Sequence, residues 1–285
     1  MLVSPLRYPG GKSKLFEYFA EAIKANDLYR MTYCEPYAGG AGLALKLLSA
    51  GFIERIALND IDESIYAFWQ AVLNTPDAFC SLIEDVPLTI DEWRRQQEIW
   101  RARDLSDPLH LGFSAFFLNR TNRSGIIEGA GPIGGYAQEG PWKIGVRLNK
   151  PQQIKHIQAL QFFRNQIEIS NKDALDFVAL QFNQPDTFCY LDPPYYSKGS
   201  KLYRNFYRHD DHLEILMLLE LNRHARWVVS YDDVPQIREI YKHFEPISYS
   251  LNYSAGSNPA GREVIFFSDA LKAPCVKGFE GSAAA

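Results

Sequence analysis

A strand, a glycine-rich loop, a helix and a second strand ending in an acid follow one another near the start of this chain. The loop reads EPYAGGAG at positions 35–42, after a short predicted strand at 33–34 and before a helix predicted over 43–49. A second predicted strand at 53–58 leads to Asp60. Glycines at such a turn let a ligand approach the backbone closely, and they supply positive φ where the turn needs it. This order is typical of a nucleotide-binding βαβ unit and predicts an open, largely parallel α/β sheet.

Further along the chain, the patterns separate a sheet domain from a large insert. Residues 76–163 carry helical patterns at 91–103 and 109–119, then a loop rich in Gly, Asn and Pro over 121–141. A loop of that length in a compact domain is usually functional or disordered. Further strands are predicted at 167–170, 187–191, 226–230, 246–253 and 263–267. The sequence therefore predicts a sheet domain from residues 1–75 and 164–270, a mostly helical inserted subdomain at 76–163, and a tail at 271–285.

Composition excludes several other classes of protein. The chain has 285 residues, of which 46% are apolar and 22% charged, so it is long and apolar enough for one large domain or two smaller ones. It contains no apolar run near the roughly 20 residues of a membrane span and no secretory signal pattern at its N-terminus. The four cysteines are widely spaced, without a CxxC or Cys/His pair typical of a zinc site. We therefore expect a cytoplasmic protein without a metal centre or membrane anchor.

Charge is unevenly distributed along the chain. The net charge is −4, yet residues 94–172 hold 12 Lys and Arg against 6 Asp and Glu. Lys198, Lys201 and Arg204 follow the sequence YLDPPYY at 190–196, with no acid among them. A polyanion can bind such local patches on an acidic protein. Patches of this size also occur on ordinary solvated surfaces, so charge alone leaves nucleic-acid binding open.

The sequence YLDPPYY ends the predicted strand at 187–191. Two adjacent prolines cannot supply sheet hydrogen bonds, and Pro193 favours an extended conformation at Asp192. The Asp192 carboxylate is thereby held at the carboxyl end of a strand, where open α/β sheets bind ligands. A carboxylate and a nearby backbone carbonyl can accept both N–H bonds of an exocyclic amino group, while the Tyr195 ring stacks on an unpaired base. An ordinary Pro-Pro turn would explain the prolines but not this combination.

Four motifs together resemble a known family. They are RYPGGK at 7–12, which alone reads only as a turn into a helix, EPYAGGAG at 35–42, NDI at 59–61 and DPPY at 192–195. In this order they closely resemble the Dam-like N6-adenine DNA methyltransferases of the alpha arrangement, over about residues 6–267. The resemblance implies a Rossmann-like class I methyltransferase sheet with an inserted, mostly helical DNA-recognition subdomain. It also implies S-adenosylmethionine as cofactor and adenine N6 in DNA as the methyl acceptor.

The resemblance assigns roles residue by residue. Asp60 is expected at the cofactor ribose, Tyr8 and Lys12 near its methionine end, and Asp173 near its adenine. Asp192 is expected to bind the target amino group and the cofactor side, with Tyr195 stacked on the flipped adenine. The catalytic residues predicted are Asp192, Pro193, Pro194 and Tyr195. The cofactor contacts predicted are Tyr8, Lys12, Glu35, Pro36, Tyr37, Ala38, Gly39, Gly40, Asp60, Ile61, Asp173 and Asp192.

The DNA contacts rest on a weaker part of the resemblance. FLNRTNRSG at 117–125 resembles the family's segment leading into a DNA-recognition hairpin, although Thr121 stands where an aromatic is usual. The cofactor loop also has one more glycine than Dam itself, so the target sequence stays open. We expect double-stranded DNA as partner and a monomer or weak dimer, inside a bacterial or archaeal cell or encoded by a phage. The DNA contacts predicted are Arg120, Asn122, Arg123, Lys198, Lys201 and Arg204.

Three other functions compete with this one. A cytosine-N4 or RNA-base methyltransferase has similar chemistry, but Asp at the first position of the tetrad favours adenine. Protein-glutamine methyltransferases usually carry Asn there and lack a large insert. A DNA-binding protein without catalysis would not need intact Lys12, Asp60 and Asp192. The sequence HDDH at 209–212 has metal-ligand residue types, but Asp210 or Asp211 as the N-cap of the following helix is the preferred interpretation.

Overall fold

One sheet forms the centre of the molecule. The structure, a computed structural model, describes residues 1–7, 11–197, 207–251 and 261–281. Within these residues the strands are β1 Thr32–Glu35, β2 Arg55–Asn59, β3 Ile167–Ser170, β4 Thr187–Leu191, β5 Trp227–Asp232, β6 Ile247–Leu251, β7 Gly261–Phe267 and β8 Phe279–Gly281. Their order is β3-β2-β1-β4-β5-β7-β6-β8. Strands β1 to β5 run parallel, whereas β7 lies antiparallel between β5 and β6, and β8 pairs antiparallel with β6. The expected open, largely parallel α/β sheet is confirmed.

Helices cover the sheet and form most of the insert. A short 3-10 turn at Lys12–Leu15 precedes the first helix. The helices are α1 Phe16–Ala25, α2 Gly42–Ser49, α3 Glu63–Asn74, α4 Pro76–Asp85, α5 Ile90–Ala102, α6 Pro108–Thr121, α7 Lys150–Gln161, α8 Ala174–Phe182, α9 His209–Leu221 and α10 Pro235–Ile240. Strands β4 and β5 are buried at every residue, as expected for parallel strands covered on both faces. None of the helices described is long and apolar enough to cross a membrane.

The inserted helices pack closely on the sheet domain. Helix α6 lies against α3, where an added Cβ at Gly112 would stand 2.5 Å from the Ala67 carbonyl oxygen. Beside this contact the rings of Phe68 and Phe116 stack with centroids 6.1 Å apart, and Phe79 meets both edge-on. The insert therefore shares an apolar core with the sheet domain. The proposed boundaries at 76 and 163 stay a prediction.

Several local predictions need correction. The sequence patterns did not predict helices α4, α7 and α8. The loop at 121–141 is held by hydrogen bonds: Asn122 pairs with Pro132, and the Gln138 amide donates to the Ile133 carbonyl at 2.8 Å. The N-cap prediction for Asp210 or Asp211 was wrong, because α9 begins at His209. Asp211 lies inside the first turn, and its carboxylate accepts the Arg208 backbone N–H at 2.6 Å.

Candidate active site

A cavity of about 380 Å³ opens at the carboxyl ends of β1, β2 and β4. The glycine loop and the end of β2 form one side, and Lys12 and Asp192 form the other. The N-terminal segment and the insert, through residues such as Leu6, Trp100 and Ile127, complete the wall. The volume of the cavity lies within the roughly 300–1,000 Å³ typical of small-molecule sites.

Backbone contacts fix the glycine loop. The Ala38 N–H donates to the Asn59 carbonyl at 2.9 Å, and the Gly39 N–H donates to Asp60 Oδ2 at 2.8 Å. The Trp69 indole N–H donates to the Gly39 carbonyl at 2.9 Å. Positive φ occurs at Gly39 (45°) and, without a glycine, at Ala41 (47°), just before α2. Parallel strands with a tight loop thus bring Asp60, 21 residues further along the chain, under Gly39.

Two carboxyl groups in this part of the cavity have perturbed ionisation. Burial raises the pKa of Glu35 to about 8, and the charge of Asp192 adds to the effect, although the Ala44 backbone N–H opposes it. Burial and then the charge of Asp62 raise the pKa of Asp60 to about 7, against backbone hydrogen bonds from Asp62 and Gly39. Both acids therefore change charge near neutral pH, as groups at binding sites often do.

A cluster of side chains surrounds Asp192. The Lys12 ammonium lies 2.8 Å from each carboxylate oxygen of Asp192 and 2.8 Å from the Tyr195 hydroxyl. The Ser230 hydroxyl, on β5, donates to Asp192 Oδ1 at 3.2 Å. The Lys12 ammonium also lies 3.9 Å from Glu263 Oε2, on β7. Because Lys12 is 6% and Asp192 23% exposed, this ion pair is screened by water far less than a surface pair.

The DPPY tetrad has one open and one buried end. Asp192 and Pro194 line the cavity, whereas Pro193 is buried. Tyr195 is only 9% exposed and does not line the cavity; its hydroxyl donates to Glu263 Oε1. Its predicted stacking on a flipped base therefore requires the ring to be uncovered. Tyr196 packs against His212, with ring centroids 5.2 Å apart.

Most of the predicted cofactor residues meet at the cavity. Asp173 does not line it: its carboxylate accepts the Leu175 N–H at 2.8 Å and caps α8, next to the cavity residue Ala174. Tyr8 lies outside the described residues. Those that line the cavity are Lys12, Glu35, Pro36, Tyr37, Ala38, Gly39, Gly40, Asp60, Ile61 and Asp192.

Two of the predicted DNA contacts are buried. The Arg120 guanidinium donates to the Pro5 carbonyl at 2.7 Å and to Gln153 Oε1 at 2.8 Å, and burial lowers its pKa to about 10. Asn122 is fully buried and accepts the Trp93 indole N–H at 2.7 Å. The prediction that these two side chains contact DNA is corrected: Asn122 bonds within the insert, and Arg120 joins the insert to the N-terminal segment at Pro5.

The other predicted DNA contacts have different outcomes. Arg123 is exposed, and its contact with DNA stays a prediction. Lys198, Lys201 and Arg204 lie outside the described residues. No group of three or more His, Cys, Asp or Glu in the described ranges could hold a metal ion.

Sequence reasoning missed Glu263 and Ser230. Each lies in an apolar strand far along the chain from Asp192, so only the strand order β4-β5-β7 brings them together. For Glu263 the sequence contained a signal, because an acid begins the apolar run EVIFF at 263–267. In the structure its side chain is only 1% exposed. A buried acid without partners is costly, so it pointed to partners that the sequence alone does not name.

Comparisons with known proteins give the family. Residues 8–254 match the family model of the D12 class N6 adenine-specific DNA methyltransferases. Over 216 residues, the chain is 24% identical to the type II methyltransferase M.MjaIII of Methanocaldococcus jannaschii, covering 68% of this chain and 70% of that protein. Among solved structures, the rRNA methyltransferase AviRa of Streptomyces viridochromogenes has a TM-score of 0.40 at 13% identity, covering 92% of this chain and 87% of AviRa. The protein LPL1258 of Legionella pneumophila has a TM-score of 0.32 at 12% identity, covering 92% of this chain and 86% of LPL1258. Because the family model spans most of its length, this chain belongs to the D12 class N6 adenine-specific DNA methyltransferases.

Proposed function

We propose that the cavity binds S-adenosylmethionine and that Asp192 holds the N6 amino group of an adenine flipped out of double-stranded DNA. The observation that carries the proposal is the shared cavity of the glycine loop and Asp192. Glu35, Asp60 and Asp192 present carboxyl groups to this cavity, and Lys12 presents an ammonium. S-adenosylmethionine carries a sulfonium, an ammonium, a carboxylate and two ribose hydroxyls, so these residues fit it by charge and hydrogen-bonding type. In this proposal Asp60 accepts hydrogen bonds from the ribose hydroxyls, and Lys12 and Glu35 lie toward the methionine end.

The chemistry of the amino group explains why a carboxylate is needed. The lone pair of an exocyclic amino nitrogen is delocalised into the base, which makes the nitrogen a poor nucleophile. Hydrogen bonds from both N–H groups to Asp192 and a neighbouring carbonyl favour a tetrahedral nitrogen with its lone pair free. When bound, the cofactor supplies an electrophilic methyl group. The ion pair with Lys12 and the hydrogen bond from Ser230 hold the Asp192 carboxylate in one orientation, which lowers the cost of positioning at the moment of reaction.

The DNA substrate follows from the family, whereas its form and contacts are proposed. We place the duplex on the side of the cavity lined by the insert, at the partly exposed residues Ile126 and Ile127. The exposed Arg123 is the described basic residue that we retain as a phosphate contact.

Transfer of a labelled methyl group tests this function. The full-length protein would be incubated with methyl-labelled S-adenosylmethionine and either duplex or single-stranded DNA of mixed sequence, followed by nucleoside analysis. We expect the label in N6-methyladenine, with duplex DNA the better substrate. Label in N4-methylcytosine, or no label in either DNA, would refute the proposed reaction, and a preference for single strands would refute the proposed partner.

A further inference from the structure

Glu263 lies at the meeting point of three strands beside the tetrad. In the register of the sheet it pairs with Asp232 on β5 and with Tyr249 on β6. Its side chain is only 1% exposed. One carboxylate oxygen accepts the Tyr195 hydroxyl and the other accepts the Tyr249 hydroxyl. The acid is therefore enclosed by groups that also form the active site.

The ionisation of Glu263 depends on the same neighbours. Burial raises its pKa and the charge of Asp192 adds to this effect, whereas the Lys12 ammonium and the two tyrosine hydroxyls oppose it. A buried acid is maintained only where hydrogen bonds and an opposite charge compensate for lost hydration. Three of the four neighbours named here, Lys12, Asp192 and Tyr195, are also predicted site residues.

Lys12 joins Glu263 to Asp192. Its ammonium lies 2.8 Å from both oxygens of Asp192, 2.8 Å from the Tyr195 hydroxyl and 3.9 Å from Glu263 Oε2. It also lies 4.9 Å from the centroid of the Tyr195 ring. A shift of the Tyr195 hydroxyl or of the ammonium would therefore change the hydrogen bonds and the charge around the Asp192 carboxylate. Contacts of this kind fix the orientation of a reacting group without touching the substrate.

We propose that Glu263 is a positioning residue, which holds the Tyr195 hydroxyl and the Lys12 ammonium and, through Lys12, orients the Asp192 carboxylate for the amino group. This inference deepens the proposed function and rests on it, since methyl transfer is one of its readouts. Glu263 contacts neither substrate nor cofactor in this assignment. The Tyr195 ring keeps its plane because its hydroxyl is fixed at one end, while the two prolines fix its backbone.

Kinetics of Glu263→Gln test the proposal. The substitution keeps the size of the side chain but removes its charge and one acceptor. We expect the single-turnover methylation rate at saturating cofactor and DNA to fall about 10- to 100-fold, as for a small displacement of a reacting group. The dissociation constant for S-adenosylmethionine should change by no more than a few-fold, because only the Lys12 contact near the methionine end is disturbed, while the glycine loop and Asp60 are unchanged. Glu168→Gln, an exposed strand acid paired with Arg55, is the matched control and should leave both quantities unchanged.

Two further readouts separate positioning from a general loss of folding. If Glu263 acts through the Tyr195 hydroxyl, the rate losses of Glu263→Gln and Tyr195→Phe should be strongly non-additive in the double variant. A crystal structure of the Glu263→Gln variant should show the Lys12 ammonium displaced relative to Asp192, independently of activity. If Glu263→Gln does not fold, Tyr249→Phe removes one of its two hydroxyl partners and should give a smaller loss of the same kind.

The outcomes distinguish this proposal from the proposed function. A wild-type protein that does not methylate adenine refutes the function, and the crystal structure of the variant still tests the positioning role. A wild-type rate in Glu263→Gln, additive losses in the double variant, or an unmoved Lys12 ammonium would each overturn the role of Glu263.

Discussion

At one end of the cavity, the backbone of the glycine loop bonds to residues close to it in sequence. At the other end, side chains from distant segments meet at Asp192. Gly39 is held by Asp60, at the end of β2, and by Trp69, on the helix α3 that follows it. Asp192 is held by Lys12, 180 residues away, and by Ser230 on another strand. The loop end is local in sequence, and the Asp192 end is not.

This difference separates two consequences of mutation. Backbone contacts at the loop end tolerate side-chain changes, so damage there requires loss of an anchoring acid and should appear as weaker cofactor binding. The Asp192 end depends on individual side chains, so one substitution should reduce the rate far more than the cofactor affinity. A mutation that lowers the rate but not binding has removed an interaction made chiefly in the transition state.

The largest effect is expected at Asp192. Asp192→Asn keeps the shape of the side chain but replaces one acceptor oxygen with a donor and removes the charge that Lys12 pairs with. The single-turnover rate should fall by about 10³-fold, with cofactor affinity changed by less than about threefold. Asp186→Asn, an exposed acid just before the same strand, should retain the wild-type rate. Rapid-quench assays with labelled cofactor measure the rate, and a near wild-type value for Asp192→Asn would remove the distinction between the two ends.

A smaller effect, of the opposite type, is expected at Asp60. Asp60→Asn weakens both the anchor of Gly39 and the acceptor for the ribose. The dissociation constant for S-adenosylmethionine should rise about 10- to 100-fold, the size of one lost charge-assisted hydrogen bond. At saturating cofactor the rate should stay within a few-fold of wild type. Calorimetric titration measures the affinity; unchanged binding together with a slow rate would mean that the two ends are not separate.

The pH dependence of cofactor binding sharpens the same contrast. Because burial and the charge of Asp62 raise the pKa of Asp60 to about 7, this carboxyl group is largely protonated below that pH. The ionised form is the stronger acceptor, so the dissociation constant should fall as pH rises from about 6 to 8. Titrations of Asp60→Asn at the same pH values provide the control. The cofactor's own amino group titrates in both proteins, so only their difference reports Asp60, and identical pH profiles would contradict its role.

The smallest effect is expected where the insert meets the loop end. Arg103, just after α5, bonds to Asp62 at 2.6 Å, with the two side chains 13% and 24% exposed. Arg103→Ala should lower the free energy of unfolding by about 1–2 kcal/mol. Arg94→Ala, which breaks an exposed pair with Asp91, should cost no more than about 0.5 kcal/mol. Chemical denaturation measures both, and equal losses would show that the insert is not anchored through Asp62.

The same contrast explains what the sequence could predict. The βαβ unit and the end of β4 were found to within a few residues, because glycine, proline and strand signals are local. Helix α8 was missed, although Asp173 in fact provides its N-cap. Arg120 was misread because a basic side chain beside a motif is usually exposed, whereas here it binds the Pro5 carbonyl inside the protein. Glu263 was missed because its partners are distant in sequence and meet it only in the folded sheet.

A crystal structure with S-adenosylhomocysteine, the methyl-transfer product, tests most directly the claim that the cavity has a binding end and a chemical end. We expect the ribose hydroxyls at Asp60, the adenine toward Ile61 and Tyr37, and the sulfur directed toward Asp192. A ligand bound in the reverse orientation, or outside this cavity, would contradict the claim.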